Sequence, residues 1–280
     1  MGLATMSKAK KSLVCWALLS PFLVVVLFPY ATMLSTSLKQ KDEIFTFHRA
    51  WLPREFYLGN FAELIFEKGF GRALANSLAI SVGATVLSLA VAIPAAYALT
   101  RMRVPAKGAL TNYLLITQMI SPIVLIIGLF RMFAYFGLVN SLLSVIIAHS
   151  AFFMAFAVWM LQSYFATIPK DLEEAAWIDG AGRFSAFIRV FLPLCLPGIV
   201  VTAIFTFVNS WNEYAMSLTL LRQVSQQTAP VQIAFLTGTL YQIEWHLIMA
   251  ATLLASVPVA IVFATIQRYL IGGMALGGVK

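Results

Sequence analysis

Charge is the scarcest feature of this sequence. Of 280 residues only 11% are Asp, Glu, Lys or Arg, against 61% hydrophobic, whereas soluble domains carry about 25% charged residues. A soluble globular protein is excluded. Cysteine is nearly absent as well: Cys15 and Cys195 both fall at or in apolar runs, so they read as free thiols and exclude a disulfide framework. His48, His149 and His246 are scattered over three segments, which gives no metal-site spacing and makes each a lone, hydrogen-bonded histidine. There is no G-x-x-x-x-G-K-[ST] phosphate loop, G-x-S-x-G or H-E-x-x-H, and no pair of carboxylates inside an apolar run. No catalytic constellation and no metal site can be named, and any ATP-driven work must come from another chain. No Gly/Ser linker divides the chain, which reads as one domain.

What is present is length without charge. A bilayer core about 30 Å thick needs roughly 20 apolar residues of helix, and six runs supply them: Ser12 to Leu38, Ala73 to Thr100, Gly108 to Phe130, part of Met132 to Pro169, Val190 to Asn212, and Trp245 to Gln267. Gln223 to Ile243 is also uncharged but too rich in Gln, Ser and Thr to face lipid. The alternating pattern of an outer-membrane barrel is missing, so the expectation is an all-α integral membrane protein with six transmembrane helices.

The placement of charge orients it. With the N-terminus inside, the inner segments hold 11 basic and 4 acidic residues, the outer ones 8 and 7. That asymmetry is the positive-inside pattern, and it makes the net +8 a matter of topology, not of nucleic-acid binding. Both termini are expected in the cytoplasm. Lys8, Lys10 and Lys11 before an apolar run resemble a secretory signal, but the run exceeds the about 7 to 15 residues of a signal core. The chain then divides into residues 1–72 (tail, first span, extracytoplasmic segment), 73–268 (five spans) and 269–280 (cytoplasmic tail).

Three connections are more than turns. Ser35 to Arg72 mixes charge with Phe45, Phe47, Trp51, Phe56, Tyr57 and Phe61, and reads either as a segment along the membrane interface or bundle mouth or as an ordinary amphipathic loop. Glu213 to Glu244 is polar and also outside. The loop 166–193 holds most of the cytoplasmic charge. There Asp171, with Glu174 three residues on, predicts a capping box, and Glu173 and Glu174 favour the positive end of a helix dipole. Leu172, Ala175, Ala176 and Asp179 share one shallow side, Gly180 stops the helix, and a second helix from about Arg183 to Phe191 folds back before Pro193 and Pro197. Such a two-helix knob is either a docking element for a cytoplasmic partner or a surface hairpin.

Glu174-Ala175-Ala176, three residues, Gly180, nine residues, then Val190-Phe191-Leu192-Pro193 resembles the EAA loop of inner-membrane permeases of binding-protein-dependent ABC importers, with Val190 where isoleucine is usual. Asn76-Ser77-Leu78, Trp211-Asn212-Glu213-Tyr214, Gln267-Arg268-Tyr269 and Gly277-Gly278-Val279-Lys280 are similar to its carbohydrate branch, that of the smaller maltose permease. The resemblance implies a type I ABC importer permease fold and a multi-pass bacterial inner-membrane subunit. Its partners would be a homologous second permease, a homodimeric cytoplasmic ATPase that uses ATP and Mg, and an extracytoplasmic solute-binding protein. This chain would bind no cofactor, and Glu174, Ala175, Ala176, Asp179 and Gly180 would couple it to the ATPase.

For the substrate path, polar residues in spans are the candidates: Asn76, Gln118, His149, Asn209 and Asn212, or else these join helix to helix. Asn209, Trp211, Asn212 and Tyr214 offer amides beside flat apolar faces, as a sugar needs, or form an interfacial aromatic anchor. The rival readings are a self-sufficient secondary transporter or channel, which would want intramembrane charges for ion coupling, and an intramembrane enzyme.

Overall fold

The computed structural model describes residues 8–44, 51–238 and 243–277, and among them no β-strand occurs. In chain order the helices are α1 (Lys8–Ser37), α2 (Lys41–Ile44), α3 (Gly59–Ala62, prolonged by a π-helical turn Glu63–Glu67), α4 (Phe70–Arg101), α5 (Lys107–Gln118), α6 (Pro122–Tyr135) and α7 (Leu142–Phe165). They continue as α8 (Asp171–Ile178), α9 (Arg183–Ala186), a π-helical turn Phe187–Phe191, α10 (Leu192–Leu194), α11 (Leu196–Asn212), α12 (Ala215–Leu220), α13 (Ala229–Leu236) and α14 (Trp245–Gly277).

Among the described residues four stretches, Val14–Ser37, Phe70–Arg101, Leu142–Phe165 and Trp245–Thr265, are long and apolar enough to cross a membrane. Two further apolar stretches are bent helix pairs. Helices α5 and α6 meet at 93°, and Arg183–Leu194 meets α11 at 72°, so the count rises to six if each bent pair is one span. The run Gly108 to Phe130 is therefore not one straight helix. Pro122 lacks an N–H and forces the preceding residue out of the α region, and Ser121 is indeed extended, at φ −62° and ψ 134°. Pro122 opens α6 and does not kink a continuous helix, whereas α4 runs unbroken past Pro94. In the stretch from Gln223 to Ile243 the only α-helix among the described residues is α13, with 8 residues, too short to span.

The helices form two compact units: Met1–Phe70 with Ile233–Ser256, and Gly71–Gln232 with Val257–Lys280. In the first, Asn60 Nδ2 donates to the carbonyls of Ser37 and Lys39, both at 2.8 Å, pinning α3 to the end of α1. Lys68 Nζ meets Glu244 Oε2 at 3.2 Å and joins segments distant in sequence. Trp51 and Phe56 are exposed, while Phe45 and Phe47 lie outside the described residues.

The second unit has two cores. At one end Ile80 of α4, Phe133 of α6, Val145 and Ala148 of α7, and Met216 and Leu220 of α12 pack together. At the other, Ala92, Ala96 and Leu99 of α4 meet Ala157, Leu161 and Phe165 of α7, with Phe191 and Cys195. Small residues bring the helices close: a Cβ on Gly198 of α11 would overlap the Tyr164 ring of α7. The turn before α7 is fixed by Asn140, in the left-handed region at φ 61°, whose Oδ1 accepts from the Arg222 N–H at 2.7 Å and the Gln223 N–H at 3.3 Å.

Candidate functional site

Two places in the second unit concentrate polar and charged side chains. The first is the knob α8–α9. Helix α8 begins with three acidic residues in its first turn, favourable at the positive end of the dipole. No capping box forms: Asp171 is already helical, Lys170 occupies the cap position without a side-chain hydrogen bond, and the Lys170 carbonyl accepts from the Glu173 and Glu174 N–H groups at 2.9 and 3.1 Å. The far end follows the expected pattern. Gly180 adopts φ 85°, the Ala181 N–H reaches the Ala176 carbonyl at 2.9 Å and the Gly180 N–H that of Trp177 at 3.1 Å, a Schellman stop that needs a left-handed residue.

Of the expected coupling residues, Glu174, Ala175, Asp179 and Gly180 are exposed and Ala176 is half-buried. Beside them stand Ile178, 86% exposed, and Phe184, 76% exposed. Grouped with the half-exposed Trp177 on a charged turn, they make an apolar surface that a partner can cover. The one residue of α8 that turns fully inward is Glu173, which the sequence marks only as a charge at the positive end of the helix dipole.

Glu173 is the anchor of the knob. Its Oε1 lies 2.7 Å from Arg101 Nε, with the two side chains 4% and 8% exposed. Its Oε2 accepts from the Tyr97 hydroxyl at 2.7 Å. Arg101 also donates from Nη2 to the Ile168 carbonyl at 2.7 Å and lies 5.0 Å from the centre of the buried Phe191 ring. Phe191 in turn packs edge-on against Tyr97 at 5.0 Å and Phe165 at 4.9 Å. One guanidinium thus ties the end of α4 to α8, to the α7–α8 link and to the π-helical turn after α9. Tyr97 and Arg101, four apart on one helical face, together with Glu173 and Ala176, three apart on another, were the available sequence signal.

The second place is the other end of α7 and α11. His149 is fully buried, with Nδ1 2.8 Å from Ser210 Oγ and Nε2 3.0 Å from Glu213 Oε2. Glu213 also accepts from the backbone N–H of Met216 at 2.7 Å and of Ser217 at 3.1 Å, so its carboxylate starts α12. Burial pushes this carboxyl up, but the hydrogen bond and charge of His149 and the two backbone N–H groups outweigh it and hold it below the ordinary carboxylate range. In the sequence Glu213 stands only as part of the Trp211–Tyr214 motif; the buried histidine about two turns into an opposing helix is what makes it a hub.

The remaining pathway candidates separate. Asn76 Nδ2 donates to the Ser225 and Gln227 carbonyls at 3.1 and 3.0 Å, and Gln118 Nε2 to the Phe152 carbonyl at 3.1 Å, so both join elements of the second unit. Asn209, Asn212 and Tyr214 are exposed, and the Asn209 amide finds only the Phe205 carbonyl of its own helix, at 2.7 Å. Trp211, 3% exposed, is turned inward and stacked on Phe207, so it does not join them. Among the described residues no group of His, Cys, Asp and Glu could hold a metal ion.

Long apolar helices, two bent helix pairs, a lashed two-helix knob and small-residue helix contacts define an all-helical, multi-span membrane protein. The fold is that of the crystal structure of a bacterial ABC transporter involved in the import of the acidic polysaccharide alginate, with TM-score 0.76, 23% identity, and coverage of 94% of this chain and 98% of that one. The chain belongs to the binding-protein-dependent transport system inner membrane component family, whose model matches residues 85–275. It is 34% identical to the inner membrane ABC transporter permease protein YcjP of Escherichia coli K12, over 94% of both chains. It is 31% identical to the sulfoquinovosyl glycerol transport system permease protein SmoH of Agrobacterium fabrum (93% of this chain, 91% of that one), and 30% identical to the diacetylchitobiose uptake system permease protein DasC of Streptomyces coelicolor (91% and 92%). It is a multi-pass inner-membrane permease.

Proposed function

We propose that this chain forms half of the translocation path of an ATP-driven, binding-protein-dependent importer of a carbohydrate, and that the α8–α9 knob couples that path to a cytoplasmic ATPase. The observation that carries this reading is the joint: a knob with exposed Ala175 and Ile178 is lashed by the buried Arg101–Glu173 pair to the end of a membrane-spanning helix. A push on the knob reaches α4 through a connection with few soft degrees of freedom. A homodimeric ATPase, using ATP and Mg, supplies the push; a second permease completes the path; a binding protein delivers the solute on the opposite face. The knob, and both chain ends, lie on the cytoplasmic side in this reading, as the basic loops favour.

A carbohydrate is the class of solute because the relatives above include uptake systems for sulfoquinovosyl glycerol and diacetylchitobiose. Exposed Asn209, Asn212 and Tyr214 supply the amides and the ring face that sugar hydroxyls and C–H faces need. Their exposed amides on an apolar helix are too costly against lipid and belong on a wet or protein-covered surface. The secondary-transporter reading gains nothing from the buried His149–Glu213 pair, whose atoms are engaged by Ser210 and by the start of α12. Pull-down of the chain from its native membrane, followed by mass spectrometry, tests the proposal. An ATPase and a second permease are expected to travel with it; a lone chain that moves solute in liposomes without ATP would overturn it.

A further inference from the structure

Beside the Arg101–Glu173 joint lies an open cavity of about 720 Å³ between the last turns of α4 and the knob. Tyr97, Trp177, Phe184 and Phe187 give it apolar aromatic walls, and Arg103 and Arg183 line it too. Arg101 at its margin is already engaged, but neither Arg103 nor Arg183 has a carboxylate partner among the described residues. The Arg183 guanidinium rests 5.9 Å from the centre of the Trp177 ring, so it is held near the wall with its N–H groups uncommitted to any anion. The knob carries four acidic residues of its own, yet Glu173 is consumed by the joint, and Asp171, Glu174 and Asp179 are exposed and do not line the chamber.

An apolar chamber of this size with two uncompensated guanidinium groups suits an amphiphile with an anionic head; a free phosphate would leave the aromatic walls unused. Its position agrees. The chamber lies at the end of α4, a helix long and apolar enough to span, beside the basic residues Arg101, Arg103 and Lys107, and such a basic helix end belongs at the depth of the lipid headgroups. Arginine-bearing pockets between helices at that depth recognise anionic headgroups by charge and by paired N–H donors.

We propose that this chamber holds an anionic phospholipid, with acyl chain against Tyr97, Phe184 and Phe187 and phosphate between Arg103 and Arg183. A lipid seated there lies against α4, α8 and the turn after α9 at once, so it stiffens the joint and makes its motion sensitive to membrane composition. The proposal needs the chain to sit in a bilayer but does not need the transported solute to be a carbohydrate.

The test uses the full chain, purified with the subunits that accompany it, in nanodiscs of phosphatidylcholine with or without phosphatidylglycerol, and native mass spectrometry of the lipid retained on release. Phosphatidylglycerol is expected to stay bound to the wild type in preference to phosphatidylcholine. The double variant Arg103→Ala/Arg183→Ala is expected to lose that preference by roughly tenfold or more, as two charge-assisted contacts would require. Arg103→Lys/Arg183→Lys is expected to keep part of it, and an unchanged unfolding temperature in the alanine variant shows that the fold survives. Equal retention of the two lipids by the wild type would overturn the proposal. Displacement by millimolar inorganic phosphate with no lipid preference would make this a soluble-anion site, and chamber residues shielded only when an ATPase is bound would make it part of a protein interface; either result also overturns it.

Discussion

Arg101 ends the helix α4 and Glu173 lies in the first turn of α8, and their charged atoms meet at 2.7 Å with both side chains almost wholly buried. Removing one partner strands the other charge, which costs about 3–5 kcal/mol. Arg101→Ala and Glu173→Ala should each lower the unfolding temperature and abolish uptake. Glu173→Gln keeps the Tyr97 hydrogen bond but not the charge and should fall between. The double variant Arg101→Met/Glu173→Leu should recover most of the thermal stability without recovering uptake. Thermal unfolding and uptake measured on the same preparations separate the two effects.

Gly180 holds a left-handed conformation that proline cannot reach and other residues reach at a cost of about 1 kcal/mol. Gly180→Pro should therefore misdirect the exposed edge of the knob while leaving every apolar segment intact. The expected outcome is normal membrane insertion with loss of ATPase association, read by fractionation and by pull-down. A bulky residue at exposed Ala175 should do the same by filling the approach.

Glu213 is held below the ordinary carboxylate range, mainly through His149 against the opposing effect of burial. A carboxyl depressed in the folded state stabilises fully above its ordinary range and loses that contribution as pH falls through the depressed value. The wild type should accordingly lose stability as the medium is taken below the ordinary carboxylate range, and Glu213→Gln should show a shallower acid dependence there. Unfolding temperature against pH for both chains checks this.

Gly198 has the Tyr164 ring where a side chain would go. Gly198→Val should separate α7 from α11 and cost about 1–3 kcal/mol, whereas Gly198→Val/Tyr164→Ala should recover part of it.

Among the described residues the Asn209 amide bonds only within α11, and Asn212 is exposed on the same helix. Asn209→Ala/Asn212→Ala should leave stability within about 0.5 kcal/mol of the wild type. Uptake should fall all the same if the amides meet solute, and radiolabelled uptake beside a melting curve reads both.

Much of this molecule is legible because lipid is an unforgiving solvent: uncharged length alone marks the crossings, and Gly180 marks the knob's end. The breaks were harder to read. Pro94 and Pro122 look alike in sequence, yet α4 absorbs the first while the second starts a new helix at 93° to the last. The anchor was missed for a related reason. Glu173 and Glu174 are adjacent acids, and only the rotation of α8 against α4 decides that Glu173 turns inward to Arg101 while Glu174 stays in solvent. Hydrogen-bonding amides are ambiguous in the same way, since Asn76 and Gln118 bond to neighbouring backbone while Asn209 does not reach beyond its own helix.

The most direct test of the coupling role is a cross-link. With cysteine placed at exposed Ile178 of the otherwise intact chain, a short bifunctional reagent should join the knob to an ATPase subunit in native membranes, and the yield should change when ATP is added. No ATPase product, or a yield indifferent to ATP while uptake proceeds, would contradict the coupling role of the knob.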